Sequence, residues 1–340
     1  MLKTGKLDSD LLKKLVFDKI TYRSDEVKVR PGIGEDCAVM DFGEYECIMS
    51  TDPITAAVSD IGRLAIHITC NDIASNGVQP LGIMLAVMLP DGTTEEDVEY
   101  IMGQAADTAA ELKVEIIGGH TEITPAVKQP VIVSTAIGKA VSGSSQSGSS
   151  MDVGDYVMMT KAAGLEGSGI IACDYAGHLG EVLTDEELKR AVGFLDLVSV
   201  VAEGRAAGEI GTHGMHDITE GGILGSVWEM CQIAGRGITV WEKEIPMEPE
   251  TRKLCSYFDI DPLRLISSGS MVIIVPSDRK TAMLSAMEAE GVPCSIIGRI
   301  EEAEAGIKLI RADGTSEDIA PPSSDEIYKV VGKLGVEENS

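Results

Sequence analysis

Arg30-Pro31-Gly32-Ile33-Gly34-Glu35-Asp36-Cys37-Ala38-Val39 is the stretch on which the reading of this chain turns. Two glycines one residue apart let the backbone turn tightly and approach a ligand closely. Two acids follow, and then an apolar run that reads as the start of a strand. Further acids recur at the edges of apolar elements: Asp52 in Ser50-Thr51-Asp52, Asp72 after Asn71, Glu122 after Gly118-Gly119, and Asp217 in the run from His216 to Gly222. Carboxylates beside glycine turns suit a magnesium–polyphosphate site. Mg²⁺ takes hard oxygen ligands and shares them with phosphates, while glycine-rich backbone and helix N-termini hold the phosphates themselves.

The bulk properties bound the partners. A chain of 340 residues is long enough for two domains, and 44% hydrophobic with 24% charged residues is enough to build proper cores. The net charge of −27 repels nucleic acid and anionic membrane, so neither is expected as a partner. A nucleotide remains compatible, because a metal accompanies it and the contacts are local. Seven cysteines with no CxxC pair read as reduced thiols in a cytoplasmic protein, not as a disulfide framework or a zinc site. No signal peptide is expected from Met1–Asp8, and no run of eighteen apolar residues suggests a membrane span.

The periodicities give a mixed α/β chain. Residues 9–20 read as an amphipathic helix with Leu11, Leu12, Leu15, Val16 and Ile20 on one face. Strands are expected at 36–41 and 46–51, the second ending in Ser50-Thr51-Asp52-Pro53. A helix over 57–76 stops at Gly77 and places Asp72 in its last turn, where the negative end of the macrodipole disfavours a carboxylate. Strands at 81–89, 114–117 and 131–141 flank a helix that runs from Thr93/Thr94 to Lys113. The run 142–150 is rich in serine and glycine and reads as a flexible loop or linker. We place an N-terminal domain at 1–141 and a C-terminal domain at 151–340. The latter is expected to hold strands at 156–160, 271–275 and 294–300. Its helices are expected from Thr184 and at 195–207, 222–234 and 279–290, and a hairpin near Asp313-Gly314.

Single residues carry two readings each. Lys6 is a candidate phosphate contact and equally a solvated lysine. Lys161, beside three glycines, could meet a phosphate but does not match a P-loop. His120 and His216 lie in the candidate site, whereas His67 falls within a helix and reads as structural. His213 and His216 lack the further ligands that a zinc site needs.

Taken together, Gly32–Asp36, Ser50–Asp52, Asn71–Gly77, Gly118–Thr121, His216–Gly222 and Ser267–Gly269, in this order, resemble the aminoimidazole ribonucleotide (AIR) synthase superfamily. The resemblance covers nearly the whole chain. The superfamily includes AIR synthase, selenophosphate synthetase, thiamine-monophosphate kinase and the hydrogenase maturation protein HypE. The HypE-like branch looks closest, from the Gly5-Lys6-Leu7 start and the segment from Lys161 to Gly167.

The resemblance implies a two-domain PurM-like α/β (α+β) fold. The N-terminal domain would pair in a homodimer to close a β-barrel, beside a C-terminal α/β sandwich, with ATP and Mg²⁺ between the domains. It also implies Asp36, Asp52, Asp72 and Asp217 as metal ligands and Asp36, Asp72 and His120 as the catalytic set. Lys6, Gly32, Gly34, Gly118, Gly119, Lys161, Gly221 and Gly222 would be the nucleotide contacts. The expected activity is Mg-ATP-dependent phosphorylation or dehydration of a small or peptide-borne, carboxamide-type substrate, in hydrogenase-type maturation with a partner protein.

The chain departs from the pattern in three places. His120 stands where several members carry an acid. The last cysteine is Cys294, whereas HypE ends in a cysteine that accepts a carbamoyl group. The Asp-x-Ser-Asp-Gly-Leu run of thiamine-phosphate kinases is replaced here by His216-Asp217-Ile218-Thr219-Glu220-Gly221. A nucleotide-binding partner protein with reduced chemistry is therefore the alternative, followed by a thiamine-monophosphate kinase-like or selenophosphate synthetase-like activity.

Overall fold

A computed structural model describes residues 7, 9–55, 60–146, 150–322 and 324–330 of the chain. Over these residues the chain forms two compact units. One comprises Arg23–Pro31 and Asp36–Ser145; the other comprises Gln146–Ser340, Met1–Tyr22 and Gly32–Glu35. The first half carries α1 (Ser9–Leu15), β1 (Val27–Val29), β2 (Ala38–Asp41), β3 (Tyr45–Ile54), α2 (Ile61–Ser75), β4 (Pro80–Leu89), α3 (Glu95–Leu112), β5 (Glu115–Ile123) and β6 (Val131–Val141). Then follow β7 (Tyr156–Thr160), α4 (Leu165–Asp174), α5 (Asp185–Val192), α6 (Val201–Ile210), β8 (Gly214–Asp217), α7 (Gly222–Ala234) and β9 (Gly237–Trp241). The last elements are α8 (Pro249–Phe258), β10 (Met271–Val275), α9 (Lys280–Ala289), β11 (Cys294–Glu301), β12 (Ile307–Ile310) and β13 (Ser316–Asp318). Among the described residues no helix is long and apolar enough to cross a membrane.

The unit built on Asp36–Ser145 is a six-stranded sheet in the order β1-β2-β3-β6-β4-β5. All pairs are antiparallel except β4–β5. The period-two pattern decides its faces. Ile48, Ser50, Ser134, Ala136, Leu85 and Val87 alternate as buried residues, and α2 packs against β3 and β6. The helix is buried nearly all round, because α3 covers it on another side. Thr94 caps α3 through a capping box with Asp97, as the sequence led us to expect.

Three expectations change here. The strand carrying Asp52 does not end there: β3 continues to Ile54, and Asp52 pairs with Ser134 of β6. The strand expected at 114–117 does not give way to a glycine loop. β5 runs on through Gly118 and Gly119 to Ile123, paired in parallel with β4 across an irregularity between Ile83 and Met84. A Cβ on Gly119 would stand 1.9 Å from the Leu85 carbonyl oxygen, so this glycine is required by the close approach of two strands. The run expected to be a flexible linker is tied down in its described part, because Glu46 accepts the Gly143 and Ser145 N–H groups at 3.0 and 2.7 Å.

The unit holding Gln146–Ser340 is a seven-stranded sheet in the order β13-β12-β9-β11-β7-β10-β8. Only β12–β9 is parallel. β10 is buried along its whole length, which matches its unbroken apolar run Met271–Val275. One apolar cluster gathers α7 with β7, β9 and β10 around Val227, Met230, Val157 and Ile274. A second gathers α4, α5 and α8 around Leu165, Ile171, Ala191 and Leu254. The helix expected at 195–207 is instead a 3-10 turn, Gly193–Leu197, followed by α6. Ser199 Oγ accepts the Val201 N–H at 3.3 Å, just ahead of α6. The helix expected over 9–20 ends at Leu15, with a 3-10 turn at Phe17–Lys19, and Leu11, Leu15, Val16 and Ile20 are exposed.

Candidate functional site

The unit built on Asp36–Ser145 ties two of the four candidate acids to one hydroxyl and carries a third, Asp52, on the same strand. Ser50 points to the helix-covered face of β3, two residues before Asp52 on the same face. Its Oγ lies 2.9 Å from the Asp36 carbonyl oxygen and 2.5 Å from Asp72 Oδ2. Cys37 Sγ donates to the Asp72 carbonyl at 3.2 Å, so the segment after the glycine turn is fastened to the end of α2. Asp72 is buried in the last turn of α2. A carboxylate there faces the negative end of the helix dipole in a desolvated place, and a cation relieves both costs. Carboxylate oxygens are the hard donors that Mg²⁺ prefers, so the donor set fits that ion.

His120 does not join these acids within the unit. Register runs Asp52–Ser134–Leu85–Gly119 across the sheet, and His120 follows Gly119 on the opposite face, beside Ala86. Three strand spacings separate β3 from β5, roughly 14 Å. The imidazole is exposed, with Nε2 3.4 Å from Glu122 Oε2. Gly118 and Gly119 lie in the same edge strand.

The other unit holds the remaining candidates. His216 and Asp217 end β8 and are buried; His216 Nδ1 lies 2.5 Å from the Asp217 carbonyl oxygen and Nε2 3.6 Å from Glu229 Oε2. Gly221 and Gly222 open α7 with φ of +90° and +61°. The Gly221 N–H donates to Asp325 Oδ2 at 2.8 Å and the Gly222 N–H to the Thr219 carbonyl at 3.1 Å, so both amides have partners from this chain. Gly34, at φ +77°, sits against α7: a Cβ there would lie 2.9 Å from Ile233 Cδ1. The Gly32 carbonyl accepts the Glu35 N–H at 3.4 Å and closes the turn.

Lys161, expected as a phosphate contact, is held by partners within the chain. Its Nζ donates to Glu203 Oε1 at 2.5 Å, to the Ser199 carbonyl at 2.8 Å and to the Gly269 carbonyl at 2.6 Å. An ammonium has three donors, and all three are used. Lys6 lies outside the described residues.

Sequence reasoning passed over Ser50 as a hub and Glu166 as a buried acid, and it read Asp325 as the start of a polar, fraying tail, whereas Asp325 is buried and accepts three backbone N–H groups. Glu166 stands in the first turn of α4 and is buried, accepting the Ser268 N–H at 3.2 Å. Burial pushes its carboxyl up to about 7, helped by the charges of Asp325 and Glu220 and opposed by the Ser268 hydrogen bonds. Burial also pushes Asp325 up to about 6, against three backbone N–H groups that favour its charge. The visible signal for Glu166 was an acid inside the otherwise small and apolar run Leu165–Ala172. Asp325 offered none.

Family models match the chain over both halves. Residues 34–140 match the N-terminal domain of AIR synthase related proteins, and residues 152–309 match the C-terminal domain. The chain belongs to the AIR synthase-related family. Its relatives include a protein of Methanocaldococcus jannaschii named for hydrogenase expression and formation, 27% identical over 89% of this chain and 90% of that protein. The carbamoyl dehydratase HypE of Rhodobacter capsulatus is 29% identical over 75% of this chain and 74% of that protein. Among solved structures, HypE in a complex with HypF superposes with a TM-score of 0.76 at 23% identity, covering 92% of this chain and 99% of that one. HypE in complex with ATP superposes with a TM-score of 0.72 at 23% identity, covering 95% and 97%. These likenesses give the chain the two-domain PurM-like fold, and its relatives by sequence include HypE proteins.

Proposed function

We propose that this AIR synthase-related chain binds ATP with Mg²⁺ and uses it to phosphorylate or dehydrate a carboxamide-type substrate during hydrogenase-type maturation. The observation that carries the reading is the convergence of the Asp36 main-chain carbonyl and the Asp72 carboxylate on the Ser50 hydroxyl, with Asp52 on the same strand face. Asp36, Asp52 and Asp72 would hold the ion, which supplies charge neutralisation for the phosphates. Ser50 orients the Asp72 carboxylate, and Cys37 fixes the end of α2 against the strand that follows the glycine turn. The glycine turns at Gly32–Gly34 and Gly221–Gly222 bring backbone close to the nucleotide. Support for ATP comes from the HypE–ATP structure, and support for a protein partner from the HypE–HypF complex.

A homodimer belongs to the same reading. The sheet face turned away from α2 carries Met49, Met84, Met88, Val133 and Ile137, and Met84 is 44% exposed. An apolar sheet face of this kind is covered by another copy in a closed barrel. His120 lies on that face and would act in the dimer, not within one copy.

A nucleotide-binding partner with little turnover is the second reading. It is favoured by Lys161, whose three donors are already used. Calorimetric titration of ATP and ADP, with and without Mg²⁺, into the wild type and Asp72→Asn tests the site. Binding that needs Mg²⁺ and falls in the variant is expected; equal binding by both overturns the assignment. Phosphate release with a carboxamide substrate then separates enzyme from partner.

A further inference from the structure

The segment 324–330 carries a buried carboxylate that joins two turns distant in sequence. Asp325 Oδ2 accepts the Gly221 N–H at 2.8 Å, and Oδ1 accepts the Ile266 N–H at 3.2 Å and the Ile327 N–H at 2.9 Å. Gly221 caps α7 and closes the turn that starts at His216-Asp217. Ile266 opens the serine turn Ser267-Ser268-Gly269 that leads into β10. β8 and β10 pair at Asp217 and Met271, and the Ile218 N–H donates to the Ser270 carbonyl at 2.8 Å. The strands therefore fix the roots of both turns, and Asp325 fixes their far ends.

The segment itself is well anchored. Glu326 accepts the Asp261 N–H at 3.2 Å, Tyr328 donates to Glu220 at 3.1 Å, and Val330 is fully buried with Leu165, Leu254 and Phe258. A carboxylate at the N-terminus of α7 gains from the helix dipole, and the three N–H groups satisfy its lone pairs. It stands near the acids Glu166 and Glu220, which raises the cost of keeping a charge there. A group held against that cost acts through the acceptors it provides.

We infer that Asp325 is a positioning residue whose carboxylate holds the Gly221 turn and the Ile266 turn in one arrangement, so that the segment 324–330 sets the geometry of two motif loops from outside the motifs. The inference rests on the reading above, in which those loops serve the nucleotide. Mass-spectrometric amide exchange and Mg-ATP titration on the full chain test its two halves separately. In Asp325→Ala, exchange at Gly221 and Ile266 rises together, and the Kd for Mg-ATP rises by about tenfold, the scale of a lost charge-assisted hydrogen bond. Asp325→Asn keeps an acceptor and recovers part of both effects; it also serves if the alanine variant does not fold. Glu304→Gln, an exposed acid of the same unit, changes neither. Unchanged exchange at either amide overturns the tether, and raised exchange with unchanged Kd overturns the positioning role. Failure of the functional reading shows separately, as no ATP binding by the wild type. The nucleotide role of Asp325 then falls with it, and amide exchange still decides the tether.

Discussion

Replacing Glu166 by glutamine removes a pH dependence that the fold builds into its larger unit. The carboxyl is buried in the first turn of α4 and rises from 4.5 in a solvated chain to about 7, chiefly through burial. Because the folded value is the higher one, the protonated form is favoured on folding. The stabilisation is complete below pH 4.5 and is lost as pH rises to about 7. A rise of this size corresponds to about 3 kcal/mol, at ~1.4 kcal/mol per pH unit. Glutamine is neutral throughout and still accepts the Ser268 N–H, so its stability does not carry this term. The variant should therefore gain about 3 kcal/mol on the wild type between pH 4.5 and 7.5. Trp228 and Trp241 both lie in this unit and report its urea unfolding by fluorescence. With a slope of ~2 kcal/mol/M, the midpoint difference between the two proteins should move by roughly 1.5 M across that range. Asp325 also titrates upward, but it is present in both proteins and largely cancels in the difference. A midpoint difference that is the same at pH 5 and pH 8 would refute the reasoning.

Three further outcomes are expected. Lys161→Met leaves Glu203, only 1% exposed, without its ammonium partner and should cost about 3–5 kcal/mol in chemical denaturation; a loss below 1 kcal/mol at neutral pH would show that the pair is not structural. Gly119→Ala forces a Cβ into the Leu85 carbonyl and should cost roughly 2–4 kcal/mol, with amide protection lost along β5 first; unchanged protection of β5 would contradict the strand register. Ser50→Ala removes the hydroxyl between Asp36 and Asp72 and should destabilise by about 1–2 kcal/mol while weakening Mg-dependent ATP binding. Intact Mg-dependent affinity in a folded Ser50→Ala protein would remove Ser50 from the site.

The sequence by itself determined the elements with strong local codes. Thr94 and Thr184 announced their helices through capping boxes, and both are present. The apolar runs of β4, β6, β7 and β10, and the glycine pair opening α7, were legible for the same reason: period, capping and turn chemistry act within a few residues. The order of the acidic and glycine motifs was likewise enough to indicate the family. Tertiary structure decided everything that depended on which residues meet. Gly118-Gly119 read as a loop because glycine permits one; the need for glycine arises only when β5 lies against the Leu85 carbonyl. Lys161 read as a phosphate ligand because a lysine among glycines is locally free; its partners Glu203, Ser199 and Gly269 come from distant parts of the chain. Glu166 drew no notice and Asp325 read as the start of a fraying polar tail, because burial and the convergence of backbone N–H groups are properties of the packed chain and leave no periodic trace in sequence.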